Sequence, residues 1–262
     1  MKIDVHTHGK LAKKLPFSKE YTHWLFKEAR FAGLDGICLT EHFNTLGFEE
    51  VYSYIASTFR EDGDTYVTDE GLRIFPGMEV DIKEGGHTLV LGKMEEILFL
   101  NQQLEPHKEK DCFLPLKELV LLLEGRGFVF GAAHPYREGS NIPTLPKTLL
   151  ETFDFLDMNG KDMAMFANEN RRKLQGLSME LQSRIVAGSD THQSFQYGCI
   201  YNEFANECNT IQGLKKEILN GDYEIVQSPF IKKQVRSAGI LKKSLKLIHS
   251  LGGNYVELLI ES

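Results

Sequence analysis

"KIDVHTHGK", residues 2–10, begins as an apolar alternation and closes on two histidines one residue apart. In an extended chain residues i and i+2 point to the same side, so His6 and His8 are aimed together from the end of a first strand. Two imidazoles on one side can chelate a single metal ion. A second same-side pair stands far downstream, where "AGSDTH" (187–192) sets Asp190 and His192 at the same spacing.

Between these two ends, strand-like runs alternate with helix-like ones. Strands are expected over 2–6, 35–42, 72–82, 87–92, 127–135, 153–160, 184–192 and 199–205. Helices are expected from a Ser18 N-cap to Phe31, over "FEEVYSYIAST", "LKELVLLLEGRG" and "IQGLKKEILNG", and as a basic amphipathic stretch over 232–251. That alternation favours βα units and a parallel sheet. Residues 60–71, 101–113 and 136–150 read as surface loops. With no linker or repeat, the chain is one α/β domain with a C-terminal helical extension.

The acidic and imidazole side chains are not spread evenly over this plan. His6, His8, Glu41, His42, Glu79, His134, Asp190 and His192 each fall at the C-terminal end of an expected strand, and His87 opens the strand after Glu79. In parallel α/β barrels the active site gathers at that end. His23, His107 and His249 fall outside the pattern and read as helix-surface or loop residues. Glu79 lies in "PGMEV", a run too apolar to carry a charge without a partner. The set supplies nitrogen and carboxylate oxygen but no thiolate, which suits Zn2+, Mn2+ or Fe2+ in a hydrolytic cluster better than a structural zinc site.

Composition bounds the rest. The 262 residues are 42% hydrophobic and 26% charged, with net charge −7 from 30 basic and 37 acidic groups. Neutralising many phosphates needs a basic excess, so an extended nucleic-acid surface is not expected, whereas a small phosphorylated substrate needs only a few local cations. Cys38, Cys112, Cys199 and Cys208 form no C-x-x-C pair. No apolar run approaches membrane-spanning length and the first strand starts without a leader-like segment, so no membrane partner and a cytoplasmic location are expected.

In their order, "DVHTH", "LTEH", "PGMEV", "GGHTLVLG", "AAHP" and "AGSDTH" resemble the PHP (polymerase and histidinol phosphatase) metal-dependent phosphoesterases, over residues 1 to about 225. The resemblance implies a distorted (β/α)7, TIM-like barrel over 1–230, with 231–262 as a helical extension of the same domain. It implies two to three divalent ions. His6, His8, Glu79 and Asp190 would hold the first, and Glu79 would bridge to a second completed by His87 and His134. His42 and His192 would belong to the third. One stretch departs from the family: "GKLAKKLPFS" places Lys13 and Lys14 where a further third-site ligand usually stands, and a protonated ammonium cannot ligate. Either the third ion is held weakly through His42 and His192, or one inward-facing lysine takes that cation's place, the second being the expectation. Glu41 is expected to support a ligand rather than to be one.

The expected chemistry is hydrolysis of a small phosphate ester of a nucleotide, sugar or amino alcohol by a hydroxide shared between two metals, with Glu79 and Asp190 as the catalytic carboxylates. Arg137, just past "AAHP", Lys161, just past "MNG", and Lys14 are the candidate phosphate binders. An amide or lactone hydrolase would use the same cluster without needing Arg137, and a non-catalytic domain would use the metals for stability alone.

Overall fold

A computed structural model describes residues 1–260. The chain begins with β1 (Lys2–Thr7), α1 (Lys19–Phe31), β2 (Gly36–Leu39), α2 (Phe48–Thr58), and a small hairpin of β3 (Arg60–Asp62) and β4 (Thr65–Val67). Helix α1 starts where Ser18 Oγ accepts the backbone N–H of Tyr21 at 3.2 Å, and it buries Tyr21, Leu25, Phe26 and Ala29 on one face. The hairpin replaces the loop expected over 60–71, and its turn uses Gly63 at φ 67°.

Next come β5 (Arg73–Asp81), β6 (His87–Leu91), α3 (Met94–Gln103), α4 (Leu116–Leu123), β7 (Val129–Ala133), the single turn α5 (Lys147–Leu150) and β8 (Phe155–Asn159). The chain then continues through α6 (Gly160–Leu181), β9 (Arg184–Gly188), β10 (Ile200–Phe204), α7 (Ile211–Asn220), β11 (Tyr223–Gln227), α8 (Ile231–Ser250) and α9 (Glu257–Ile260). Helices α3 and α6 and strand β11 lie outside the sequence expectations. Positions 261–262 of the expected extension lie outside the described residues.

Seven strands in the order β1-β2-β5-β6-β7-β8-β9 curl into a nearly closed barrel, and β10 and β11 continue the sheet beyond β1. The expected TIM-like α/β barrel is thus observed, distorted at one strand. β6 runs antiparallel to both β5 and β7, contrary to the all-parallel expectation. The cause is the short connection, residues 82–86, which contains Gly85 and Gly86 at φ 91° and 124°. A parallel crossover needs roughly a dozen residues or more. Because β6 is reversed, its first residue, His87, reaches the same end of the barrel as the last residues of β5 and β7.

The seam between β9 and β1 is held by Asp190 N–H donating to His6 O at 2.7 Å and His8 N–H donating to Thr191 O at 3.0 Å. Asn202 on β10 stitches the same seam: its amide donates to Ile3 O and Ala187 O, and its carbonyl accepts from Ala187 N. Outside the barrel, the helices pack on Ile37, Leu39, Ile74, Met78, Val80, Val90, Leu156 and Ala187. A second core gathers Ile3, Val5, Phe75, Leu89, Val129, Phe155 and Val186. Strand alternation then carries same-side residues from this second core to one barrel end: Phe75, Gly77 and Glu79 on β5, Phe155, Asp157 and Asn159 on β8, and Val186, Gly188 and Asp190 at β9. Helix α8 packs on α6 and on the turn at Ser194–Gln196. No helix among the described residues is long and apolar enough to cross a membrane.

Candidate metal centre

Glu79, near the end of β5, is the hub of this barrel end. Its Oε1 lies 2.6 Å from His87 Nδ1 and 3.2 Å from His134 Nε2, and its Oε2 lies 2.7 Å from His42 Nδ1, 3.5 Å from His8 Nε2 and 3.6 Å from His6 Nε2. Asp190 Oδ1 stands 3.2 Å from His8 Nε2 and 3.7 Å from His6 Nε2. His192 stacks on His8 with ring centroids 4.0 Å apart and planes 5° from parallel. All eight expected ligands therefore meet at one end of the barrel. Four sets bring ligand atoms within 4.8 Å of one another: His6, His8 and Glu79; Glu79, His87 and His134; His6, His134 and Asp190; and His8, His42 and His192.

Residues behind the ligands set which ring nitrogen faces the centre. Asp157 Oδ2 lies 3.0 Å from His6 Nδ1, and Lys10 O lies 2.8 Å from His192 Nδ1. Both oxygens only accept, so each Nδ1 carries its proton and each Nε2 keeps its lone pair. Glu41, buried, accepts the Gly9 N–H and sits 3.7 Å from His8 Nδ1, the supporting place expected for it. Gly188 is required beside His6, because a Cβ there would stand 2.3 Å from the His6 Cβ.

The donor set fits divalent cations. His6 Nε2, His42 Nδ1 and Glu79 Oε2 are buried and make no hydrogen bond, although they crowd one another. Buried polar atoms are seldom left so, and converging lone pairs repel unless a cation lies between them. Protons cannot fill that role evenly. Burial opposes the charge on His87, yet Glu79 and Asp81 raise it to about 10, whereas burial drives His42 down to about 4. Burial also opposes the charge on Glu79, but the surrounding imidazoles hold its carboxyl well below the usual range. Two of the ligands are held in left-handed backbone, His134 at φ 29° and Asp190 at φ 57°. Such conformations cost about 1–3 kcal/mol each in residues other than glycine and cluster at functional sites.

The cations divide into two kinds. Arg137 is already engaged: its guanidinium donates to Asp190 Oδ2 at 2.7 Å, Asn159 Oδ1 at 2.6 Å and Asp162 Oδ1 at 3.2 Å, which leaves two of its five N–H groups without a partner among these contacts. Lys13 turns to the cluster edge, its Nζ 3.0 Å from Asp81 Oδ2, while Asp81 Oδ1 is 2.9 Å from His87 Nε2. Lys14 is exposed and lines a separate groove with Asn44 and Glu49, away from the cluster. Lys161 lines the pocket over Glu79 and Asp190.

Sequence reading missed Asp157, Asp81, Asn159 and Lys242. Asp157 and Asn159 carried a signal, two polar residues at same-side spacing in an otherwise apolar strand end. Lys242 lines the pocket from α8 and carried none.

No family model and no curated protein matches this sequence. Among solved structures, the chain is similar to PsfC from Pseudomonas syringae, with a TM-score of 0.75 and 22% identity over 93% of this chain and 98% of that one. It is similar to the lesion-specific endonuclease PfuEndoQ from Pyrococcus furiosus, with a TM-score of 0.61 and 18% identity over 86% of this chain, which spans 57% of that enzyme. A protein described as a metal-dependent phosphoesterase from Bifidobacterium adolescentis gives 0.51 and 14% over 82% of this chain and 94% of that one. At these identities the likeness is one of fold.

Proposed function

We propose that this chain is a metal-dependent hydrolase of the PHP type that cleaves a small phosphorylated metabolite, a nucleotide, sugar or amino-alcohol phosphate. One observation carries the reading: five imidazoles, those of His6, His8, His42, His87 and His134, lie within 3.6 Å of one buried carboxylate, Glu79, at the mouth of a barrel. His6, His8, Glu79 and Asp190 would hold one ion and Glu79, His87 and His134 a second, while His8, His42 and His192 form a third, incomplete set whose missing ligand falls where Lys13 stands. Zn2+, Mn2+ or Fe2+ bound there supplies positive charge at the attacked centre and lowers the pKa of nearby water.

The chain's own residues do the positioning. Asp157 and Lys10 O fix the tautomers of His6 and His192, as the hydrogen bonds to their Nδ1 atoms require. Arg137 grips Asp190 from the side away from the histidines and keeps that carboxylate charged and aimed, a task additional to the phosphate clamp expected from the sequence. Glu79 and Asp190 act as the ligands on which the reacting centre depends. Free cysteines, Cys38, Cys199 and Cys208 among them buried, suit a reducing cytoplasm.

An amide or lactone hydrolase could use the same carboxylates and imidazoles. Positive side chains beside them favour the phosphate ester, because phosphoryl transfer is catalysed mainly by placing charge around the transferred group. The test is a screen of purified, metal-analysed protein against phosphate monoesters, phosphodiesters, lactones and amides. Metal-dependent phosphate release from a monoester is the expected result. Turnover confined to lactones or amides would replace this reading, and turnover of none of them with metal bound would leave the non-catalytic one.

A further inference from the structure

One face of α8 looks into the metal site. Val235, Ala238, Gly239 and Lys242, at spacings of three, four and seven residues, line the same pocket of about 320 Å³ as Glu79, Asp190 and His192. That spacing is one stripe of a helix, so the C-terminal helix is a wall of the site rather than an appendage. The stripe has a notch followed by a charge. Ala238 is short, and a Cβ on Gly239 would meet no atom within 4 Å, although glycine weakens a helix interior. One turn further stands Lys242. Lys232, Lys233, Lys243 and Lys246 on α8 are exposed, and Lys242 alone among its lysines is half-buried.

Neither the Lys242 ammonium nor that of Lys161, which enters the pocket from the first turn of α6, has a hydrogen bond or ion pair among the described residues. Arg137 in the same pocket is bound to two carboxylates and an amide. Lys161 is exposed and Lys242 half-buried, and two uncommitted cations facing a metal cluster across a small cavity favour an anion between them. A phosphate monoester carries about two negative charges at neutral pH, a diester only one. The volume is at the low end of small-ligand pockets, about 300–1,000 Å³.

We propose that Lys242 and Lys161 form the phosphate subsite of this enzyme, with the Ala238–Gly239 notch receiving the leaving group, so that the substrate is the monoester of a small alcohol. The proposal rests on the phosphoesterase reading for the word substrate, but the anion subsite stands on the geometry alone.

The test measures binding of inorganic phosphate to the full-length, metal-loaded protein by calorimetry, beside metal content by elemental analysis. Lys242→Met and Lys161→Met should each weaken phosphate binding by on the order of tenfold, the loss expected for one charge-assisted hydrogen bond, with metal content unchanged. Lys242→Arg should restore most of the affinity. Affinity unchanged in both Met variants would overturn the subsite; if the native protein still hydrolysed monoesters, the proposed function would survive that result. Lysine-dependent phosphate binding in a protein that hydrolyses no monoester would sustain the subsite and remove the enzymatic reading instead.

Discussion

Asp157 Oδ2 lies 3.0 Å from His6 Nδ1 and at the same time accepts the backbone N–H of His134 at 3.3 Å. One buried carboxylate on β8 therefore aims a ligand from β1 and positions the backbone of another at the end of β7. Partners of this kind are commonly worth about 10–100-fold in metal affinity. Asp157→Asn should lose affinity in that range, read by competition with a chelator, while the far-ultraviolet circular dichroism stays native. An unchanged affinity would mean that the ring is held by packing alone.

Glu79 touches every ligating ring except that of His192, whereas His42 belongs to one ligand set. After exhaustive dialysis, Glu79→Gln should retain well under about one equivalent of metal and His42→Ala about two, since a carboxylate shared by two sites is lost from both. Equal losses in the two variants would contradict the central place given to Glu79.

Lys13 and Lys14 are adjacent but face differently, Lys13 toward Asp81 and Lys14 toward solvent. Lys13→Asp would set a second carboxylate beside Asp81 and should raise bound metal by about one equivalent, carboxylate oxygen being a good ligand for these ions. Lys14→Asp should leave the metal content unchanged. A gain in the Lys14 variant instead would place the wrong lysine at the cluster.

Burial pulls the Lys242 ammonium down to about 8, against a smaller upward pull from Asp190 and Glu41. The charged form persists below that pH and is lost above it, so phosphate-ester binding that uses the charge weakens as pH rises. KM should climb through about pH 8 in the native protein, and bound divalent cations can only move that limb lower. Lys242→Arg, whose guanidinium stays charged to beyond about pH 12, should flatten the climb. A native KM that is level from about pH 6.5 to about 9.5 would count against Lys242 as a binding group.

The candidate ligands were legible in the sequence because seven of the eight follow a short apolar run and His87 opens one, so that strand geometry aims them at the barrel mouth. The reversal of β6 is written in the length of a connection: "IKEGG" between Asp81 and His87 is too short for a crossover. Helix α6 gives no clear apolar period because its 22 residues are largely polar and kinked at Phe166. The role of Arg137 depends on where Asp162 and Asn159 fall around it, and that of Lys242 on which face α8 lays against the barrel. Neither is a local property, so neither shows in spacing.

The wall supplied by α8 also fixes an order of manufacture. Every candidate metal ligand, from His6 to His192, leaves the ribosome before Ile231 does. β1 can close against β9 and β10 while the residues of α8 are still inside the tunnel, since chains fold N-terminal parts first during synthesis. The ion cradle is then complete and open on the side that α8 later covers. A nascent chain can meet its metal before it is able to hold its substrate.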